Sequence, residues 1–129
     1  SIILKLEIRS TLESSKDSIS LKLKIQLGKH SFFGPGKIYL LETIKETGSI
    51  SSAAKKTGMS YRKAWKLVAD LNKLSNKKLV LTYTGGKGIG GAKITEEGLS
   101  LISLYRRIEK KAFLGMKKEK VELNKLINN

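Results

Sequence analysis

The segment SISSAAKKTGMSYRKAWKLVADLN, Ser49–Asn72, decides the fold. Ser51 and Ser52 are helix-starting residues, and Ala53-Ala54-Lys55-Lys56 favours a short helix. Gly58 supplies the backbone freedom that a tight turn needs. Ser60 can cap a second, longer helix, in which Ala64, Leu67, Val68 and Leu71 recur on one face at helical spacing. The opposite face carries Arg62, Lys66 and Lys73, with Ala69 between them. One side is suited to burial and the other offers cations, as a helix entering a major groove requires. A helical hairpin with an ordinary solvated face has the same pattern, so the rest of the chain must separate the two.

Charge favours the first reading. The 129 residues carry 26 Lys and Arg against 11 Asp and Glu, a net charge of +15. Residues 1–36 hold six cations and three anions, residues 37–95 twelve and three, and residues 96–129 eight and five. The excess gathers on the segment that holds the helical pair, where neutralised phosphates would supply most of the affinity for a polyanion. There is no cysteine, which excludes disulfides and thiolate-metal sites and points to a reducing, cytoplasmic setting. No apolar run approaches the roughly 20 residues of a membrane span. One core fits this length, with an additional arm or tail.

Outward from the helical pair, each flank has its own period. Leu21, Leu23, Ile25 and Leu27 alternate with Lys22, Lys24 and Gln26, a strand. Ile2, Leu4, Leu6 and Ile8 repeat that pattern, as a partner for it or as an arm seeking another edge. Ser10–Ser20 is polar and reads as a linker. His30 sits in a short turn before Ser31-Phe32-Phe33, which reads as a returning strand. Gly34-Pro35-Gly36 leads into a helix from about Lys37 to Thr47, with Ile38, Leu41 and Ile44 inward. After the pair, Leu79–Tyr83 and Ala92–Ile94 are short strands around a glycine loop, Thr84–Gly91. Thr95 caps a final helix with Glu96 and Glu97 in its first turn, where the dipole favours acid. The order helix, helix, helix, strand, loop, strand, helix is that of a winged helix. Leu101, Leu104, Tyr105, Ile108 and Ala112 form a stripe on the last helix that exceeds the needs of a small core and suggests a dimer seam. The tail carries Val121, Leu123 and Leu126, enough for one further short helix.

Little in the chain points to catalysis. Gly86-Lys87-Gly88-Ile89-Gly90-Gly91 spells G-x-G-x-x-G, but a strand follows it in place of a helix, and Lys110 and Lys111 stand where the ribose-binding acid belongs. A wing suits it better, since glycines let backbone amides approach phosphates closely. His30 has no nucleophile patterned with it, and the acids are scattered singly. Trp65 falls at the border of the buried face and reads as core.

The pairing of Gly48-Ser49-Ile50-Ser51…Ser60-Tyr61-Arg62…Ala64-Trp65 with Thr84-Gly85-Gly86-Lys87-Gly88…Gly90-Gly91-Ala92 resembles the N-terminal DNA-binding domain of the molybdate-responsive, ModE-like regulator family. Leu104-Tyr105 and Lys111-Ala112-Phe113 match as well, so the resemblance runs from about Leu21 to Phe113. The helical pair alone is also similar to LysR-type regulators. Ile89 stands in a run that is otherwise glycine, and Thr82-Tyr83 stand where relatives carry arginine. The resemblance implies a homodimeric transcription regulator whose relatives bind molybdate or tungstate in a separate C-terminal domain, for which a chain ending at Asn129 has no room.

The expectation is therefore α+β: a winged helix-turn-helix with an N-terminal β-hairpin and a long C-terminal dimerisation helix. Residues 1–20 are a strand or arm and linker, 21–95 the DNA-binding domain, and 96–129 the dimerisation helix and tail. Ser60, Arg62, Lys63 and Lys66 are expected in the groove of duplex DNA and Tyr61 on its backbone. Lys87, Lys93 and the amides of Gly85, Gly86, Gly88, Gly90 and Gly91 are expected on phosphates. Leu101, Leu104, Tyr105, Ile108 and Ala112 are expected between two copies. No enzyme activity, cofactor, metal or membrane is expected, nor molybdate on this chain. The alternative is a basic RNA-binding or nucleoid protein without sequence preference.

Overall fold

Alternation of apolar and polar residues makes the first strands. A computed structural model describes residues 2–10, 19–29, 31–84 and 90–128, with side chains described from Ile19 onward except Ser31. His30 and Gly85–Ile89 lie outside the described residues, and with them the turn assigned to His30 and the contacts assigned to Gly85, Gly86, Lys87 and Gly88. Strand β1, Ile2–Ser10, pairs antiparallel with β2, Ile19–Leu27, in the register Leu6↔Leu23. Of the two possibilities left open for the first segment, pairing within the chain is realised. Strand β3, Ser31–Phe33, completes a three-stranded sheet in the order β1-β2-β3.

The chain divides into two compact units, Phe33–Leu104, and Ser1–Phe32 with Tyr105–Asn129. Strand β2, expected within the segment 21–95, thus groups with Tyr105–Asn129. In that unit Leu21, Leu23 and Ile25 are buried along one face of β2. Tyr105 is fully buried, and its hydroxyl donates to the Leu23 carbonyl at 2.7 Å. Burial pushes its phenol up to about 12, because the charged phenolate would lose its hydration there.

The other unit begins with α1, Pro35–Thr47, two residues earlier than the expected start at Lys37. Proline at the first helical turn is the reason: its fixed φ suits the helix, and its missing N–H has no partner there anyway. Ile38, Leu40, Leu41 and Ile44 of α1 are fully buried. Helix α2, Ile50–Thr57, is capped by Ser49, whose hydroxyl accepts from Ser52 N at 3.0 Å. The cap thus falls two residues before the serines singled out in the sequence. Gly58 ends α2 at φ 73°, in the left-handed region that glycine enters without strain. Helix α3, Tyr61–Asn72, is capped by Ser60, which accepts from Lys63 N at 3.1 Å. Ala64, Val68 and Leu71 bury one face against this core. Each large aliphatic side chain removed from water contributes about 1.5–3 kcal/mol.

Strands β4, Val80–Thr84, and β5, Gly90–Ile94, form an antiparallel hairpin in the register Val80↔Ile94 and Tyr83↔Gly91. Thr95 joins it to helix α4, Glu96–Leu114: its hydroxyl donates to Lys78 O at 2.8 Å and accepts from Gly98 N at 3.1 Å. Gly98 packs the helix start hard against the hairpin, since a Cβ there would lie 2.5 Å from Leu79 O and 2.6 Å from Ile94 Cγ2. Helix α5, Lys117–Asn128, follows and has no buried residue. The order is the winged helix-turn-helix expected from the sequence, within an α+β fold. No helix among the described residues is long and apolar enough to cross a membrane.

Candidate nucleic-acid interface

Helical geometry sorts the outer side of α3 into two rows. Residues four apart sit above one another. Tyr61, Trp65 and Ala69 form an apolar row, and all three are exposed. Arg62 and Lys66 form a cationic row beside it, which ends at the half-buried Asp70. Tyr61 and Trp65 meet edge to face, with ring centroids 6.0 Å apart and an interplanar angle of 79°. Trp65 is 39% exposed, so the expectation that it belongs to the core is corrected. The core is filled by Ala64, Val68 and Leu71, and i, i+4 spacing carries Trp65 outward with Tyr61.

The wing is fixed to this helix by one side chain. Asn72 Oδ1 accepts from Leu79 N and Val80 N, both at 2.9 Å, and Nδ2 donates to Val80 O at 3.1 Å. On the other strand, Ala92 N donates to Gly48 O at 2.9 Å, which ties β5 to the turn between α1 and α2. Between them opens a groove of about 490 Å³. Its walls are Ser49, Ile50 and Ser51 at the start of α2, Tyr61 and Trp65 on α3, and Thr82–Thr84 with Gly90 and Gly91 on the hairpin. Tyr83 lies across Gly91, where a Cβ would be 2.5 Å from its ring. Glycine is required there for the aromatic to lie flat on the neighbouring strand.

Electrostatics keep the cations of α3 available. Lys56 pairs with Glu46 on the far side of α2, which raises its pKa, and Lys77 pairs with Glu97 at 3.5 Å. No ion pair among the described residues engages Arg62, Lys63, Lys66 or Lys93, and all four are exposed. Cations outside such ion pairs suit phosphate neutralisation. No group of three or more His, Cys, Asp or Glu able to hold a metal occurs among the described residues.

Comparison with known proteins meets the same region. A family model described as "Bacterial regulatory helix-turn-helix protein, lysR family" matches residues 36–99. The transcriptional regulator ModE of Yersinia pestis is 45% identical over 112 residues, covering 84% of this chain and 42% of the relative. The DNA-binding transcriptional dual regulator ModE of Escherichia coli (strain K12) is 46% identical over 98 residues, 74% of this chain and 37% of the relative. This chain carries a ModE-like winged helix-turn-helix DNA-binding domain. It spans 37–42% of the length of these two relatives.

Within the ModE-like domain the expected interface residues divide by position. Arg62, Lys63 and Lys66 stand on the exposed side of α3, and Lys93 is exposed on β5. Ser60 is exposed, but its oxygen is taken by the α3 cap, which leaves its hydroxyl proton to donate. Tyr61 lines the groove facing Gly90 and Gly91. On α4, Leu104 is 47% exposed and Leu101, Ile108 and Ala112 are half-buried. Tyr105, expected on the same seam, is turned into its own chain. Sequence reading missed Asn72 and Ser49. An amide on the inward arc of an amphipathic helix was the available signal for Asn72, and a serine between the helix-ending Gly48 and the apolar Ile50 was the signal for Ser49.

Proposed function

We propose that this chain regulates transcription by binding duplex DNA as a homodimer, with α3 in the major groove and the β4–β5 hairpin along the backbone. The observation that carries this reading is the exposed pair Arg62 and Lys66, engaged by no ion pair among the described residues, beside a groove that runs from α3 to the hairpin. The relatives' printed role as transcriptional regulators supports it. The stripe Leu101, Leu104, Ile108 and Ala112 supplies the surface for a second copy.

The test is selection of bound sequences from a random duplex pool, followed by titration across salt. A dimer that neutralises about 6–10 phosphates loses about 10³–10⁵ in affinity between 50 and 200 mM salt. A palindromic winner with half-sites about one helical turn apart is the expected product. A flat salt response would remove the proposal. Equal competition by random duplex and structured RNA would favour the alternative, a basic nucleic-acid-binding protein without sequence preference.

A further inference from the structure

Three aromatic residues of this chain, Tyr61, Trp65 and Tyr83, line the groove between α3 and the hairpin, and each is at least 39% exposed. That is a large share of a chain with one Trp, four Tyr and three Phe. An exposed apolar row on a helix otherwise rich in cations calls for a ligand with an apolar feature. The polar inventory of α3 narrows the choice. Its only carboxylate, Asp70, is half-buried, and its only amide, Asn72, is committed to Leu79 and Val80. The amide pair that reads adenine is therefore absent from the outer arc, and guanine is left to Arg62 and Lys66. In a major groove the remaining distinctive feature is the 5-methyl group of thymine, which is recognised by apolar contact. Tyr61, Trp65 and Ala69 are spaced along about 12 Å of one helix side, the reach of a few base pairs.

We propose that the row Tyr61, Trp65 and Ala69 reads thymine methyl groups, and that Trp65 is the principal specificity-determining residue among them. This rests on the duplex-binding reading above and assigns α3 a two-part code. The cationic row takes guanine edges and phosphates. The apolar row takes thymine methyls, and the edge-to-face contact with Tyr61 holds the Trp65 ring in one orientation. The same row distinguishes thymine-containing DNA from RNA, whose uracil lacks the methyl.

The experiment compares two versions of a duplex recovered from the random pool, one with thymine and one with every thymine replaced by deoxyuridine. The replacement removes the methyl and leaves every base-pairing group in place. Burial of one methyl corresponds to about fourfold in affinity, so the wild type should bind the uracil duplex about fourfold more weakly for each thymine contacted. Trp65→Ala should lose most of this discrimination and keep the wild-type salt slope. Tyr61→Ala, at the more exposed end of the row, should reduce the discrimination in part, and thermal melting establishes that both variants fold. Equal wild-type affinity for the two duplexes would overturn the inference, as would undiminished discrimination by Trp65→Ala. Either result leaves salt-dependent duplex binding intact. Failure of the thymine duplex to bind at all removes the duplex-binding reading itself.

Discussion

Asn72 and Val80 are joined as neighbouring strands of a sheet are joined, although one partner is a side chain. The amide oxygen accepts from Val80 N at 2.9 Å and the amide nitrogen donates to Val80 O at 3.1 Å. The last residue of α3 thereby sets where the wing strand starts. Asn72→Ala leaves the Leu79 and Val80 N–H groups and the Val80 carbonyl without this partner, and should cost about 1–3 kcal/mol in urea unfolding at neutral pH. Asn72→Asp retains both accepted bonds and should lose less. Wild-type stability of Asn72→Ala would show that the clamp matters little. At concentrations where Asn72→Ala is folded, its affinity for duplex DNA should still fall, because the hairpin no longer starts from a fixed point.

Arg62 and Lys93 should behave differently toward DNA. Arg62 is on the outer side of α3, where its planar fork can meet a guanine edge. Arg62→Ala should cost about 1–3 kcal/mol on the preferred duplex and relax preference at one base pair. Lys93, exposed on β5, should contact phosphate alone. Lys93→Ala should weaken preferred and random duplexes alike and reduce the salt slope by about 1. Anisotropy titrations on both duplexes at two salt concentrations distinguish the roles. A reversal of the two patterns would place α3 on the backbone and the hairpin in the groove.

What was legible in the sequence follows from periodicity. The helical pair could be read because Ala64, Val68 and Leu71 keep a 3.6-residue period, and the hairpin because a short apolar run, Leu79–Tyr83, is followed by a glycine loop. The residues that escaped are those whose environment depends on a partner remote in sequence. Trp65 stands at the edge of the apolar arc, where exposure depends on how closely the hairpin approaches. Asn72 is an ordinary helix-end amide until Leu79 and Val80 come within hydrogen-bond reach. Tyr105 belongs to the stripe of Leu101, Leu104 and Ile108 by spacing, and only the position of the Leu23 carbonyl shows that it turns inward. Alternation in Ile2–Ile8 announced a strand, but alternation does not name a partner.

Tyr105 gives the fold a pH limit on the alkaline side. Its phenol is raised from 10.0 to about 12 by burial. Well below pH 10 both folded and unfolded chains hold the proton, and the phenol adds no pH dependence. Above that, the unfolded phenol ionises while the folded one does not, so stability falls as pH rises. Tyr105→Phe lacks the titration and also loses the hydrogen bond to Leu23, a net cost of about 1 kcal/mol at neutral pH. The advantage of the wild type over Tyr105→Phe should therefore shrink by about 1 kcal/mol near pH 11. Urea midpoints of both proteins between pH 7 and 11 measure it, and a constant difference would mean that the phenol is hydrated in the folded chain.

Leu104 is the most direct probe of the proposed seam between two copies. It is 47% exposed, while Leu101, Ile108 and Ala112 on the same side of α4 are half-buried. A charge at such a position is tolerated in a lone chain, so Leu104→Glu should change unimolecular stability by no more than about 0.5 kcal/mol. Between two copies the same carboxylate would be buried without a partner, which is strongly unfavourable. Sedimentation should therefore show Leu104→Glu as a monomer at concentrations where the wild type is a dimer. Affinity for a palindromic duplex should fall steeply, while affinity for a single half-site stays near the wild-type value, because α3 and the hairpin are untouched. A Leu104→Glu dimer with unchanged palindrome affinity would place the seam on another surface of the chain.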